Sequence, residues 1–313
     1  MPSCRPNRRR GRRCRCSWAA AARQELRLPP SPRTRKRARR VSTYTNRRQF
    51  LRRSATAVAG CAGGYLAANL YVPPLVRAAE AEWGSLTGRL VYDGDPPPRE
   101  KLVVDKDVEC CGKFDIRDES LMVGDDGGLM NTYIYCRDRS VDVCPELTES
   151  ADEFVLLDNR DCIFMPHCMM IWLDRQKLRI VNSDPVAQNV AFSPFGDRAA
   201  NIILPPPPAE AAEAVWTFGR SQRKPVPIAC NYHPWESAYI LPRDNPYMAF
   251  TGEDGTFRID KLPVGPHEFQ AWHERPGYLD APDWRRGRFE VDVRAGVNDL
   301  GTIRLSPELF EQG

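Results

Sequence analysis

The chain has 313 residues, with 45 basic and 41 acidic side chains, eleven cysteines and four histidines. The charge is unevenly spread: residues 1–79 hold twenty of the basic groups and a single acid, Glu25, which leaves 25 basic against 40 acidic side chains from residue 80 onward, a formal charge of −15. A body that acidic does not hold nucleic acid by neutralising phosphates, its charged partners are basic, and four histidines leave little for multi-imidazole hydrolysis.

Residues 1–40 carry fourteen Arg and one Lys with no periodic apolar pattern, so they cannot bury a core and read as a disordered basic block. The next segment, 41–79, opens with Thr45-Asn46-Arg47-Arg48-Gln49-Phe50-Leu51-Arg52-Arg53 and continues in small and apolar residues from Ser54 to Val76. It resembles the twin-arginine export signal, with Arg47 and Arg48 as the paired arginines. Export signals stand at the true N-terminus, so the resemblance implies translation beginning near Val41, with residues 1–40 a mis-called start or a long leader. Val58-Ala59-Gly60-Cys61 has the pattern of a lipoprotein cleavage box, which makes Cys61 a lipidation candidate; a cut near Val76-Arg77-Ala78 and an uncleaved anchor are the alternatives. Each reading places the bulk of the chain outside the cytoplasm, in the periplasm or cell envelope, touching the membrane only through the signal or a lipid.

An exported chain can oxidise its thiols. Beyond the leader stand Cys110, Cys111, Cys136, Cys144, Cys162, Cys168 and Cys230. Seven is odd, consistent with Cys230 free and up to three disulfides among the rest, in a connectivity that spacing does not set. No Cys-x-x-Cys-His occurs, which argues against covalent c-type haem.

From residue 84 the pattern is that of an all-β protein. Leu86–Tyr92 alternates with the strand period and ends in Asp93-Gly94-Asp95-Pro96, and further strands are predicted at Glu119–Val123 and Met130–Cys136. The vicinal Cys110-Cys111 lies in the polar loop between, and disulfides to separate partners are expected there. Phe154–Leu157, Cys162–Trp172 and Lys177–Val181 follow; alternation places His167 and Cys168 on opposite faces. After Asn201–Leu204 the run Pro205–Pro208 cannot lie inside a sheet, and Ala214–Phe218, Val226–Cys230 and Ala238–Pro242 complete a Greek-key sandwich over 84–243. A smaller β-sandwich unit is predicted over 244–306, built on Tyr247–Thr251, Thr256–Ile259, His267–His273, Phe289–Val293 and Asp299–Leu305.

The candidate site lies in Pro227–Leu241, an apolar strand that opens into Cys230-Asn231-Tyr232-His233-Pro234-Trp235 and closes into a second strand. Copper electron-transfer sites use one thiolate, two imidazoles and a weak axial ligand, and Pro234 stiffens a loop that must keep its shape while a metal changes charge. The loop resembles the ligand loop of the amicyanin-type cupredoxins, in which a Met three residues beyond the His completes the site; here that residue is Glu236. In Leu178–Phe192 the residue before the Asn189-Val190 pair stands where the family has its other copper His, and here it is Gln188. The resemblance therefore implies copper, with Cys230 and His233 matching the family and Glu236 and Gln188 departing from it. His167 is a further candidate to fill the missing place. Carboxylate and amide oxygens are harder than a thioether, so such a set stabilises Cu(II) and lowers the potential.

The C-terminal unit resembles the small transthyretin-like or carboxypeptidase-regulatory domains through its Asp254-Gly255 turn before a strand and its Pro263-Val264-Gly265 turn after it. Trp272–Tyr278 and Trp284-Arg285-Arg286 either pack the two units together or present a surface to a sugar or protein. Two function classes follow. One is an exported copper electron carrier with a basic redox partner, in an arrangement like that of methylamine-utilisation proteins; the other is a metal-free binding or structural module for a carbohydrate or protein of the envelope. No Ser/His/acid or paired-carboxylate set stands out, so an enzyme is not expected.

Overall fold

The computed structural model describes residues 82–311. The basic block, Arg47, Arg48 and Cys61 lie outside them. Among the described residues no helix is long and apolar enough to cross a membrane.

The expected all-β class is what is found. In chain order the elements are β1 (Trp83–Tyr92), a one-turn helix α1 (Val108–Cys111), β2 (Tyr133–Cys136), a short helix α2 (Pro145–Ser150), β3 (Phe154–Arg160), β4 (Ile163–Met165), β5 (Cys168–Trp172) and β6 (Lys177–Asn182). Then come β7 (Gln188–Phe192), β8 (Ala200–Leu204), β9 (Glu213–Trp216), β10 (Val226–Ala229), β11 (Ser237–Arg243) and β12 (Met248–Phe250). β13 (Thr256–Pro263), β14 (Gly265–His273), β15 (Gly277–Tyr278), β16 (Arg288–Val293) and β17 (Gly296–Leu305) end the series.

Two predicted strands are corrected. Glu119–Val123 makes only an isolated bridge, Val123 to Leu129. The run Cys162–Trp172 is not one strand, because Pro166 has no N–H to give a ladder. β4 before it pairs with β3, and β5 after it pairs with β11 in another sheet. Asp161 and Cys162, both with positive φ, make the two-residue turn between β3 and β4.

Strands from 154 to 243 form a sandwich of two sheets, β4-β3-β6-β9 and β5-β11-β10-β7-β8. Its core draws on both: Leu157, Leu178 and Ile180 from one, Val190, Ile228 and Ile240 from the other, all buried. Alternation explains the choice, since β10 buries Val226 and Ile228 while Pro227 and Ala229 face out. Each such aliphatic contributes about 1.5–3 kcal/mol by leaving water. The sandwich holds Gln188 at the start of β7 and Cys230 just past β10, so both lie at one end of it.

The remaining strands do not divide at residue 244. β1 sits between β13 and β17, and β2 sits between β12 and β14. The second core mixes Leu86, Leu90 and Ile134 from the front of the chain with Phe257, Phe269 and Phe289 from the back. The C-terminal strands cannot close a core without these N-terminal ones, so the first pieces of the expected 84–243 unit belong with the last. Gly255, with φ +76°, makes their close approach feasible, since a Cβ there would strike the carbonyl of Leu90. Tyr133, Tyr135, Leu241 and Trp272 pack together where the two sets of sheets meet, and Trp284 is also buried. Trp272 and Trp284 therefore serve packing.

Candidate metal centre

The turn from Cys230 to Glu236 is tied by its own backbone. The Glu236 N–H donates to the His233 carbonyl at 2.9 Å and the Cys230 N–H to the Glu236 carbonyl at 3.4 Å. The His233 N–H points at the Cys230 sulfur, 3.4 Å away. From the neighbouring strand, Asn189 accepts the Asn231 N–H at 3.0 Å and anchors itself through Asn201 at 2.6 Å. Cys230, His233, Glu236 and Gln188 are all buried.

Their donor atoms converge on one side of the imidazole. His233 Nδ1 lies 2.7 Å from Gln188 Oε1, 3.2 Å from Glu236 Oε1 and 3.8 Å from Cys230 Sγ, and Cys230 Sγ lies 3.7 Å from Gln188 Oε1. Ligand atoms of Cys230, His233 and Glu236 all lie within 4.8 Å of one another. Both carboxylate oxygens of Glu236 are buried and neither makes a well-aligned hydrogen bond, although Oε1 faces His233 Nδ1 at 3.2 Å. A buried carboxylate so placed is costly unless it meets a charge, and burial raises its pKa against the opposing pull of His233. The four sequence-predicted residues of this loop and strand therefore converge on one point, where a cation would meet the Glu236 carboxylate.

The other nitrogen of His233 is spoken for. Nε2 lies 2.9 Å from Asp107 Oδ2. Metal-bound imidazoles commonly give their second N–H to a carboxylate, which fixes the ring and its basicity. Burial lowers the pKa of His233, but Cys230, Glu236 and Asp107 outweigh it and lift it to about 10. Asp107 is held by the residues after it: its backbone is left-handed at φ 42°, and its carbonyl accepts the N–H groups of Cys110 and Cys111 at 2.8 Å each. A disulfide from Cys111 to Cys162 pins this strap to the sandwich. Trp235, whose indole donates to the Cys162 carbonyl at 2.9 Å, packs beside it and lies 5.0 Å from the His233 ring. Behind Gln188, Asp184 accepts its amide N–H at 2.8 Å.

Asp107 and Asp184 are not among the residues that the sequence pattern singles out. Asp184 follows the Asn182-Ser183 turn and had a local signal; Asp107 had none, being 126 residues from its partner.

His167 is a correction. It does not stand in for the absent histidine: it lies between Glu119, 3.5 Å from Nδ1, and Glu274, 3.2 Å from Nε2. Carboxylates on opposite nitrogens hold an imidazolium and cannot close on a single ion. Burial opposes the charge, but the two carboxylates prevail and raise its pKa to about 9. The cysteine expectation is also narrowed. Cys111 finds a separate partner and Cys230 is free, but Cys110, Cys136, Cys144 and Cys168 are free thiols, so one disulfide forms among the described residues where up to three were expected. A further group, Cys136, Asp138 and His267, has no donor to spare, because His267 engages Asp138 at 2.7 Å and the Pro263 carbonyl at 2.8 Å.

No family model matches the chain, and no curated protein matches it. Among solved structures, the chain is similar to a mutant amicyanin in its Cu(I) form, at 15% identity over 35% of this chain and 98% of that one, with a TM-score of 0.25. It is also similar to a Cu-containing nitrite reductase from Thermus scotoductus, at 16% identity over 28% of this chain and 22% of that one, again with a TM-score of 0.25.

Proposed function

We propose that this protein is a cupredoxin-like copper carrier that passes single electrons, with Cys230, His233, Glu236 and Gln188 as its ligands. The observation that carries this reading is the convergence of buried donor atoms from all four residues on one side of the His233 ring. A thiolate and an imidazole suit copper, whose bound ion would supply the one-electron couple. Within the chain, Cys230 provides the soft donor, and His233 is oriented by Asp107. Glu236 and Gln188 provide hard oxygens that favour Cu(II) and lower the potential. Burial of all four excludes bulk water. The acidic body from residue 80 suits a basic redox partner, and the twin-arginine-like stretch suits an exported carrier of the periplasm or envelope, not an enzyme.

A metal-free binding module is the second reading, favoured by the 2.7 Å contact of Gln188 with His233, which satisfies both groups without an ion. One experiment separates the two. The full chain is loaded with Cu(II), freed of excess metal, and examined for a visible thiolate-to-copper absorption and for copper content, beside Cys230→Ser. The copper reading requires one retained copper per chain and a band that C230S removes. Copper lost on gel filtration, or a spectrum unchanged by C230S, overturns it and leaves the module.

A further inference from the structure

Away from the candidate centre, a cavity of about 590 Å³ opens between the two sets of sheets. Arg137, Arg139, Arg223, Arg243, Arg286 and Arg288 line it, against only Asp138 and Asp244. In a body with a formal charge of −15, that concentration of cations is out of keeping with its surroundings.

The counter-charge is not present among the described residues. Arg137 pairs with Glu268, and Arg243 has only Asp244, at 3.9 Å. Arg139, Arg223, Arg286 and Arg288 are exposed and have no carboxylate within ion-pair reach among the described residues. Asp138 is occupied by His267. Residues 1–79, with twenty basic groups and one acid, do not supply the missing charge either.

The deeper wall is built, not incidental. Arg243 is buried, and its Nη1 and Nη2 donate to the carbonyls of Gln222 at 2.9 Å and Cys136 at 2.7 Å. Its Nε, equally buried, has no partner. Its guanidinium lies 5.4 Å over the Tyr135 ring, whose hydroxyl in turn fixes the Arg223 carbonyl at 2.7 Å. Tyr278, beneath Arg286 at 6.0 Å, supplies an apolar face opposite. A volume of this size fits a small molecule, and guanidinium forks match phosphate and carboxylate oxygens in pairs.

We propose that this cavity binds a small multivalent anion, one carrying two or more phosphate or carboxylate groups, independently of the metal centre. The test titrates the full chain by calorimetry with inorganic pyrophosphate and, separately, with citrate, beside the double variant Arg223→Ser, Arg288→Ser. The basic leader is common to both proteins, so only the difference reports on the cavity. Saturable binding of one anion per chain is expected, weakened on the order of ten-fold for each arginine lost; which probe binds tighter assigns the phosphate or carboxylate source. Hydrogen exchange on the unaltered chain provides a second measurement, with protection expected at 135–139 and 221–223. Equal affinity of the variant, absence of saturable binding, or no protection in those segments overturns the proposal.

Discussion

Two buried histidines of the sandwich, His233 and His167, meet their neighbours in different ways. His233 gathers Gln188, Glu236 and Cys230 on Nδ1 and leaves Nε2 to Asp107. His167 receives one glutamate on each nitrogen. Both have raised pKa values from neighbouring acids, so the shift alone does not tell a ligand from a strut. Convergence on one nitrogen does, because only that arrangement leaves a point that several donors can share.

The largest expected effect lies on the strap that holds Asp107 over His233. Its disulfide closes a separation of 51 residues, so Cys111→Ser with Cys162→Ser should cost about 4 kcal/mol by releasing chain entropy in the unfolded state. Chemical denaturation measures it, and an unchanged midpoint would mean the strap is held by its packing alone.

On the other side of the comparison, His167 should govern alkaline stability. Its folded pKa of about 9 stands above the ordinary 6.5, so its contribution is complete below about 6.5 and is lost as pH rises through 9. The groups facing it are Glu119, Glu274, Tyr239 and His273. The loss should be roughly 3 kcal/mol, and His167→Gln should flatten that part of the stability profile. A slope that persists in H167Q assigns the titration elsewhere. His273 works in the opposite direction: burial holds its pKa down to about 3, so it resists acid protonation, and stability should fall as pH drops from 6.5 toward 3.

Smaller effects sharpen the His233 side. Asp107→Asn keeps the shape but removes the charge that orients the imidazole, and copper affinity should drop on the order of 10–100-fold in a competition titration. Unchanged affinity would make Asp107 a strap contact only. Glu236→Met restores the thioether found in the resembling family, and the reduction potential of the copper-loaded chain should rise. A potential that stays or falls would remove Glu236 from the ligand set.

Much of the candidate site was legible because it is local. Cys230 and His233 stand out as a Cys-x-x-His loop, whereas Glu236 and Gln188 are pointed to only by the resemblance to the amicyanin-type cupredoxins, at the places of that family's Met and second His. The partners that hold them were not legible. Asp107 arrives from a distant loop that the Cys111–Cys162 bond and its packing tie to the sandwich, and the arginine cavity draws on β2, β11, β16 and the segment before β10. His167 misled because alternation shows which residues share a face but does not show that Pro166 will send the chain into another sheet.

By itself, the order of residues determined that this is a strand protein and that a thiol, an imidazole and a carboxylate share one turn; that the Gln188 amide joins them was implied only by a family resemblance. Only the tertiary structure decided that β1 closes against β17, through Thr87 and Asp299 some 212 residues apart, and which acids meet which histidines. Alternation with period two reports a strand's faces, whereas its hydrogen-bonding edge looks much the same to any neighbour, so the choice of partner is made by the whole core at once.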